Sequence, residues 1–142
     1  MRVLGIDYGK RRMGIAVCDE LGITTRGVTT LLRKNLKKDI DEIENLIQSL
    51  GVEKVVVGYP LRLNGQPGTL CMEIDDFIVH LQKRLTTIPI VRWDESLSTK
   101  DAEEIMERNR VKAKKRKSLV DKIAARLILE NYLAASKKTD IS

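Results

Sequence analysis

Two short apolar runs joined by a turn of glycine and positive charge do most to restrict what this chain can fold into: Val3-Leu4-Gly5-Ile6-Asp7-Tyr8-Gly9-Lys10-Arg11-Arg12-Met13-Gly14-Ile15-Ala16-Val17. Val3, Leu4 and Ile6, then Ile15, Ala16 and Val17, are strand-length runs of the kind buried in a sheet, and Gly9 with the basic trio supplies the turn of a β-hairpin. Asp7 breaks the pattern. A carboxylate closing a buried strand costs free energy unless it is paired, hydrogen-bonded or bound to a cation. Aspartate also initiates turns by bonding its own backbone two residues on, so an Asx-turn and a charged partner are both open to Asp7 from this stretch alone.

The β-prone run over Thr24 to Leu32 predicts a third strand beside the second. Leu36, Ile40, Ile43, Ile47 and Leu50 then recur at helical spacing and stop at Gly51. Lys54-Val55-Val56-Val57-Gly58 reads as a buried strand, and Asn64 to Thr69 as a loop. A second helical stripe through Ile74, Phe77, Ile78, Leu81 and Leu85 precedes a strand, Ile88 to Trp93, that ends in Asp94 and Glu95. Ser98 and Asp101 form a capping-box pattern for a helix to about Arg108, a basic loop follows over about 108–117, and the last helix is predicted from near Ser118, with a frayed tail over about 136–142. The sum is an α/β domain covering 1–142: a five-stranded mixed sheet, three opening antiparallel strands followed by helix-strand-helix-strand-helix, with helices on both faces. In such an open sheet ligands gather at the carboxyl ends of strands where their direction changes, and there Asp7 and Glu95 are both predicted to lie.

Composition supports one domain with a core large enough to fold alone, for the chain has 142 residues, 42% of them hydrophobic, and no long apolar run. The N-terminus enters a strand directly, without the regions of a signal peptide, so a cytoplasmic protein without membrane contact is expected. Cys18 and Cys71 lack metal-ligand spacing and are expected to be reduced and buried. Seven of the 26 basic residues fall between Arg108 and Lys117, and without them 19 basic residues face 20 acidic ones. The formal charge of +6 is therefore local. Such a patch suits a polyanion, although a solvated charged loop is the commoner meaning of a basic run.

Three carboxylates stand in suggestive places: Asp7 ending the first strand, Glu95 ending the fifth, and Asp121 near the start of the last helix. Glu95 could be a solvated strand end, and Asp121 could complete a capping box with Ser118. Against the latter, Asp121 shares a helical stripe with Ala124, Ala125 and Ile128, which predicts that it faces the sheet across small side chains. Carboxylates without histidine or cysteine partners make an all-oxygen site, suited to magnesium or manganese rather than zinc. His80 is expected at an ordinary boundary position and Trp93 in the core.

Four ordered motifs over almost the whole chain resemble the YqgF (RuvX-like) pre-16S rRNA nucleases, ribonuclease H-like proteins related to Holliday junction resolvases. They are Gly5-Ile6-Asp7-Tyr8-Gly9 with Gly14-Ile15-Ala16-Val17, Val57-Gly58-Tyr59-Pro60-Leu61 with Asn64-Gly65, Asp94-Glu95-Ser96-Leu97-Ser98-Thr99, and Asp121-Lys122-Ile123-Ala124-Ala125. The resemblance implies that Asp7, Glu95 and Asp121 are the catalytic acids, holding one or two Mg²⁺ or Mn²⁺ ions for hydrolysis of structured RNA, a 16S rRNA precursor above all, with a ribosomal particle as a further partner. Lys10, Arg11, Arg12, Lys112, Lys114, Lys115, Arg116 and Lys117 would grip the phosphate backbone without reading sequence. Gly9, Gly58 and Ser96 would lie where a phosphate approaches, Gly58 by permitting close backbone contact or by merely ending a strand. Ser96 departs from the family's usual arginine. Either Arg92, Lys10, Arg11 or Arg12 supplies the missing charge, or the chain is a weaker nuclease than its relatives.

Three rivals remain at this stage. A resolvase of branched DNA keeps the chemistry but needs a symmetric dimer, whereas a monomer or weak homodimer is expected here. A non-catalytic RNA-binding assembly factor would use the same basic patch with a crippled site. An actin-like or sugar-kinase ATPase shares the first motif but pairs two domains, which 142 residues do not supply.

Overall fold

The computed structural model describes residues 1–60, 70–94 and 113–141, the last stretch with side chains over 120–136. Its strands are β1 (Val3–Asp7), β2 (Arg12–Cys18), β3 (Thr25–Leu32), β4 (Lys54–Tyr59) and β5 (Ile90–Asp94), and its helices are α1 (Leu36–Leu50), α2 (Leu70–Arg84) and α3 (Ala113–Ile141). The sheet order is β3-β2-β1-β4-β5. β1 and β2, and β2 and β3, pair antiparallel, while β1 with β4 and β4 with β5 run parallel. This is the predicted mixed sheet, with the direction change at β1.

Alternation along the strands sorts two cores. Leu4, Ile6, Met13, Ile15, Val17, Val55 and Val57 pack under α1 and α2 against Ile40, Ile43, Ile47, Ile74, Phe77 and Leu81. Val3, Ala16, Cys18 and Val56 turn to the other face and meet Ala125, Ile128 and Leu129 of α3. Helices therefore cover both faces. α1 starts where the Asn35 side chain accepts from the Lys38 N–H at 2.9 Å, and it ends at Gly51, whose φ of 68° allows Val52 N–H to close back on the Ile47 carbonyl at 3.0 Å.

α3 lies almost on the strands themselves. A Cβ at Gly5 would stand 3.0 Å from the Ala125 carbonyl oxygen, and one at Gly14 only 1.8 Å from that of Asp121. Only residues without side chains admit the helix this closely.

Two expectations for the C-terminal third are corrected. α3 begins at Ala113 rather than near Ser118, so half of the expected basic loop is helix and Ser118 lies within the helix rather than at its start. Ala113-Lys114-Lys115-Arg116-Lys117 consists of strong helix formers, whose propensity outweighs the mutual repulsion of the charges. The same helix runs on to Ile141 through the segment expected to fray, carried by Ala134, Ala135 and the lysines that follow. The loop predicted at Asn64 to Thr69 and the helix predicted from Ser98 to Arg108 lie outside the described residues.

Candidate active site

The parallel arrangement sets the carboxyl ends of β1, β4 and β5 side by side. Ile6 is opposite Val57, and Tyr59 is opposite Asp94. Asp7, half-buried, ends β1 on the α3 side of the sheet, the side of Val3 and Gly5. Its register partner on β2 is Gly14, the same glycine on which the Asp121 turn of α3 rests. Asp7 and Asp121, from opposite ends of the chain, thus reach one corner of the fold, and the sequence reading of an inward-facing Asp121 agrees with this. Glu95 directly follows Asp94 in the chain, but Glu95 and Ser96 lie outside the described residues.

Arg12, Gly14, Ala16 and Cys18 alternate onto the α3 face of β2. Arg12 Nε accordingly donates to Asp121 Oδ2 at 2.9 Å, with the two side chains 32% and 18% exposed. The arginine expected to grip phosphate is thus bonded to a candidate metal ligand. Arg92 is placed differently. It pairs with Val57, whose side chain belongs to the α1/α2 core, donates from Nε to Asp75 Oδ1 at 2.8 Å and stands over the Tyr59 ring. Strand alternation thus turns residue 92 away from the face of Asp7.

The β1–β2 loop is tightly held. A Cβ at Gly9 would stand 2.3 Å from the Arg12 carbonyl oxygen, so this turn requires glycine. Lys10 and Arg11 are exposed, and Lys10 Nζ has a surface contact with Glu73 at 3.9 Å. Lys114, Lys115, Arg116 and Lys117 fall on the α3 backbone, and Lys112 lies outside the described residues. Gly58 faces Trp93 in register, and Trp93, expected in the core, is half-buried at its edge and packs edge-on against Tyr132 at 5.5 Å. His80 has its Nδ1 2.8 Å from the Asp76 carbonyl oxygen, at the boundary position expected.

Two polar groupings near the same end of the sheet were not anticipated. Arg33 donates through Nε to Asp39 Oδ2 at 2.7 Å and through Nη1 to the Gly9 carbonyl at 2.8 Å, while its guanidinium lies 4.7 Å from the centre of the Tyr8 ring. Burial alone would lower the Arg33 pKa, but the bonds to Asp39 and Tyr8 outweigh it and hold the guanidinium above its ordinary value. A signal for Asp39 exists in the sequence, since it falls three residues after Leu36 and four before Ile43, on the buried stripe of α1. In the second grouping the Tyr59 hydroxyl donates to Asp75 Oδ2 at 3.1 Å. Burial, then that bond, pushes the Tyr59 pKa up to about 12.

The family model described as "RuvX: Holliday junction resolvase" matches residues 1–135. The chain belongs to the RuvX family. A relative from Syntrophus aciditrophicus, named "Putative pre-16S rRNA nuclease", is 48% identical over 141 residues, 99% of this chain and 93% of its own. One of the same name from Halothermothrix orenii is 43% identical over 138 residues, covering 97% and 98% of the two chains. This RuvX chain also resembles Thermus thermophilus RuvC in complex with a Holliday junction substrate, with a TM-score of 0.60, 17% identity and 96% of each chain covered. The fowlpox virus Holliday junction resolvase gives a TM-score of 0.54 at 12% identity, over 95% and 99% of the chains. At such identities the likeness concerns the fold, which is ribonuclease H-like. No helix among the described residues of the RuvX chain is long and apolar enough to cross a membrane.

Proposed function

We propose that residues 1–142 form a single metal-dependent nuclease domain that hydrolyses phosphodiester bonds of structured RNA, processing the 16S rRNA precursor in the cytoplasm. One observation carries the reading: Asp7 and Asp121 converge on Gly14 at the sheet end where β1 changes partner direction. The donors fit a hard divalent cation, since both are carboxylates and a guanidinium already stands on one of them as a cationic substitute. Asp7, Glu95 and Asp121 would hold one or two Mg²⁺ or Mn²⁺ ions. Such an ion, when bound, supplies an activated water at neutral pH and stabilises negative charge on the leaving oxygen.

The protein's own part is to position. β1 and α3 fix the two carboxylates from a rigid core, so little reorganisation is left to the reaction. Lys10 and Arg11, with the basic segment Lys112, Lys114, Lys115, Arg116 and Lys117, draw the phosphate backbone to that end of the sheet, and Gly9, Gly58 and Ser96 line its approach. Arg12, on the Asp121 side of the sheet, would supply the charge that Ser96 lacks. Binding is therefore steeply salt-dependent and indifferent to base sequence.

The test is cleavage of a 16S rRNA precursor fragment by purified protein with Mg²⁺, with Mn²⁺ and with chelator, in wild type, Asp7→Asn and Asp121→Asn. Metal-dependent cutting abolished by either substitution is the expected result. Tight, salt-sensitive RNA binding without cutting by folded wild type would replace the reading with an RNA-binding assembly factor. The family description and the fold neighbours favour a second reading, resolution of branched DNA. A four-way junction in the same assay, with solution mass measured alongside, separates the two, because paired cuts need a dimer and the RNA reading needs only a monomer or weak homodimer.

A further inference from the structure

Lys10 and Arg11 are joined by a backbone whose carbonyls are drawn inward by one residue. Arg33 donates from Nη1 to the Gly9 carbonyl at 2.8 Å, and its own N–H donates to the Arg11 carbonyl at 2.9 Å. In a planar trans peptide the C=O and the following N–H point opposite ways. With its carbonyl turned in to Arg33, the Gly9–Lys10 peptide therefore turns the Lys10 N–H outward, and no described residue accepts a hydrogen bond from it. Two carbonyls of this loop, those of Gly9 and Arg11, are thus engaged by Arg33, and the side turned away from Arg33 offers an amide donor next to the Lys10 side chain.

Arg33 has little freedom to leave this post. Its Nε is bonded to Asp39 Oδ2 at 2.7 Å, Asp39 is 1% exposed, and the other carboxylate oxygen takes the Lys34 N–H at 3.0 Å. Tyr8 closes the remaining side, with its ring 4.7 Å below the guanidinium and 5.3 Å from that of Phe77.

We propose that the Gly9–Lys10 peptide is a phosphate-contact site, presenting the Lys10 N–H to a backbone phosphate oxygen of the nucleic acid, and that Arg33 is the positioning residue that fixes its orientation. The proposal rests on the nuclease reading for its substrate. It adds to it a neutral contact beside the charged ones, three residues along the chain from Asp7. Backbone N–H groups are effective phosphate donors, because they lose almost no conformational freedom on binding.

The experiment follows the backbone amide resonances of wild type during titration with a 20-nucleotide RNA hairpin in chelator, where no cutting occurs. The Lys10 amide proton is expected to move downfield and to be among the most perturbed. In parallel, fluorescence anisotropy of the same labelled hairpin is measured against salt for Arg33→Met, Arg33→Lys and Lys10→Ala. Arg33→Met is expected to weaken binding about tenfold, the loss of one charge-assisted hydrogen bond, and to leave the slope of log affinity against log salt unchanged, since Arg33 itself touches no phosphate. Arg33→Lys restores part of the affinity through its single donor, whereas Lys10→Ala lowers the slope by about one. A Lys10 amide that stays put at saturation, or a slope that falls in Arg33→Met as it does in Lys10→Ala, overturns the proposal. The amide measurement decides alone if Arg33→Met does not fold. Wild type that cuts RNA while its Lys10 amide is unmoved refutes only this contact; a shifted amide without cutting refutes only the nuclease reading.

Discussion

Replacing Gly14 by alanine tests whether the contact between β2 and α3 is what gathers the candidate carboxylates. The new Cβ would stand 1.8 Å from the Asp121 carbonyl oxygen, 2.4 Å from its carbonyl carbon and 3.0 Å from its Cα, all backbone atoms that no rotamer change can move. Restoring ordinary van der Waals contact requires strand and helix to part by roughly 1.5 Å, and overpacking of that kind costs about 3 kcal/mol, the upper end of its usual range. Asp121 travels with the helix while Asp7 stays with the sheet. A misplacement of about 1 Å between reacting groups lowers rate by roughly a hundredfold. Urea denaturation measures the first effect. Metal-dependent cleavage, at a temperature where the variant is shown to be folded, measures the second. Gly5→Ala, with its nearest contact at 3.0 Å, serves as the graded control and should lose less of both. Wild-type stability together with wild-type cleavage in Gly14→Ala would refute the reasoning, since the helix would then be free to sit farther from the strand without consequence.

Three further substitutions probe separate parts of the same frame. Asp39→Asn keeps the shape of a buried side chain but must turn its amide nitrogen toward either the Lys34 N–H or the Arg33 Nε, both donors, and it leaves Arg33 without a counterion; a loss of about 3 kcal/mol in urea denaturation is expected. Tyr59 is expected to ionise near pH 12 in an absorbance titration at alkaline pH, a step absent from Tyr59→Phe. Since the folded pKa lies above the ordinary tyrosine value, the associated stability is complete below about pH 10 and is lost as pH rises toward 12, so Tyr59→Phe should be the less alkali-sensitive protein. Gly51→Ala places a side chain at φ 68° in open space, which should cost about 1 kcal/mol in thermal unfolding and leave cleavage untouched.

The sheet was legible because its determinants are local and repetitive. The apolar runs around Leu4, Ile15 and Val56 have few alternatives to buried strands, and the stripe from Leu36 to Leu50 closes on the residue type that most readily accepts a positive φ. The start of α3 is not legible by the same rule, because lysine and arginine signal both solvent exposure and helix propensity, and charge alone points to a loop. For the candidate site, Asp7 and Asp121 were readable as carboxylates where apolar neighbours were due. Which cation each one meets was not, since Arg12 and Asp121 are brought together only when a strand and a helix distant in sequence pack through a glycine. Arg92 shows the converse: it stands near Ser96 in sequence, yet strand alternation turns it away from the face of Asp7 and onto Asp75.

Two arginine–aspartate pairs flank the β1–β2 loop, and their burial assigns them opposite parts. Arg33–Asp39 is 17% and 1% exposed, and each remaining polar atom of the carboxylate is already bonded. Breaking it strands a charge in the core, so it persists whatever binds outside. Arg12–Asp121, at 32% and 18%, keeps part of its hydration, and an ion pair of that kind contributes on the order of 1 kcal/mol or less. On the proposed reading, a divalent cation that took Asp121 as a ligand would displace Arg12 at small cost. The guanidinium so released would stay tethered at the start of β2, at the end of the sheet where Asp7 lies, and a phosphate would be the natural anion to receive it. The loop between the pairs would thus have one wall that is permanent and one that exchanges partners, so that Asp7 is held rigidly while the charge beside it adapts to metal and substrate.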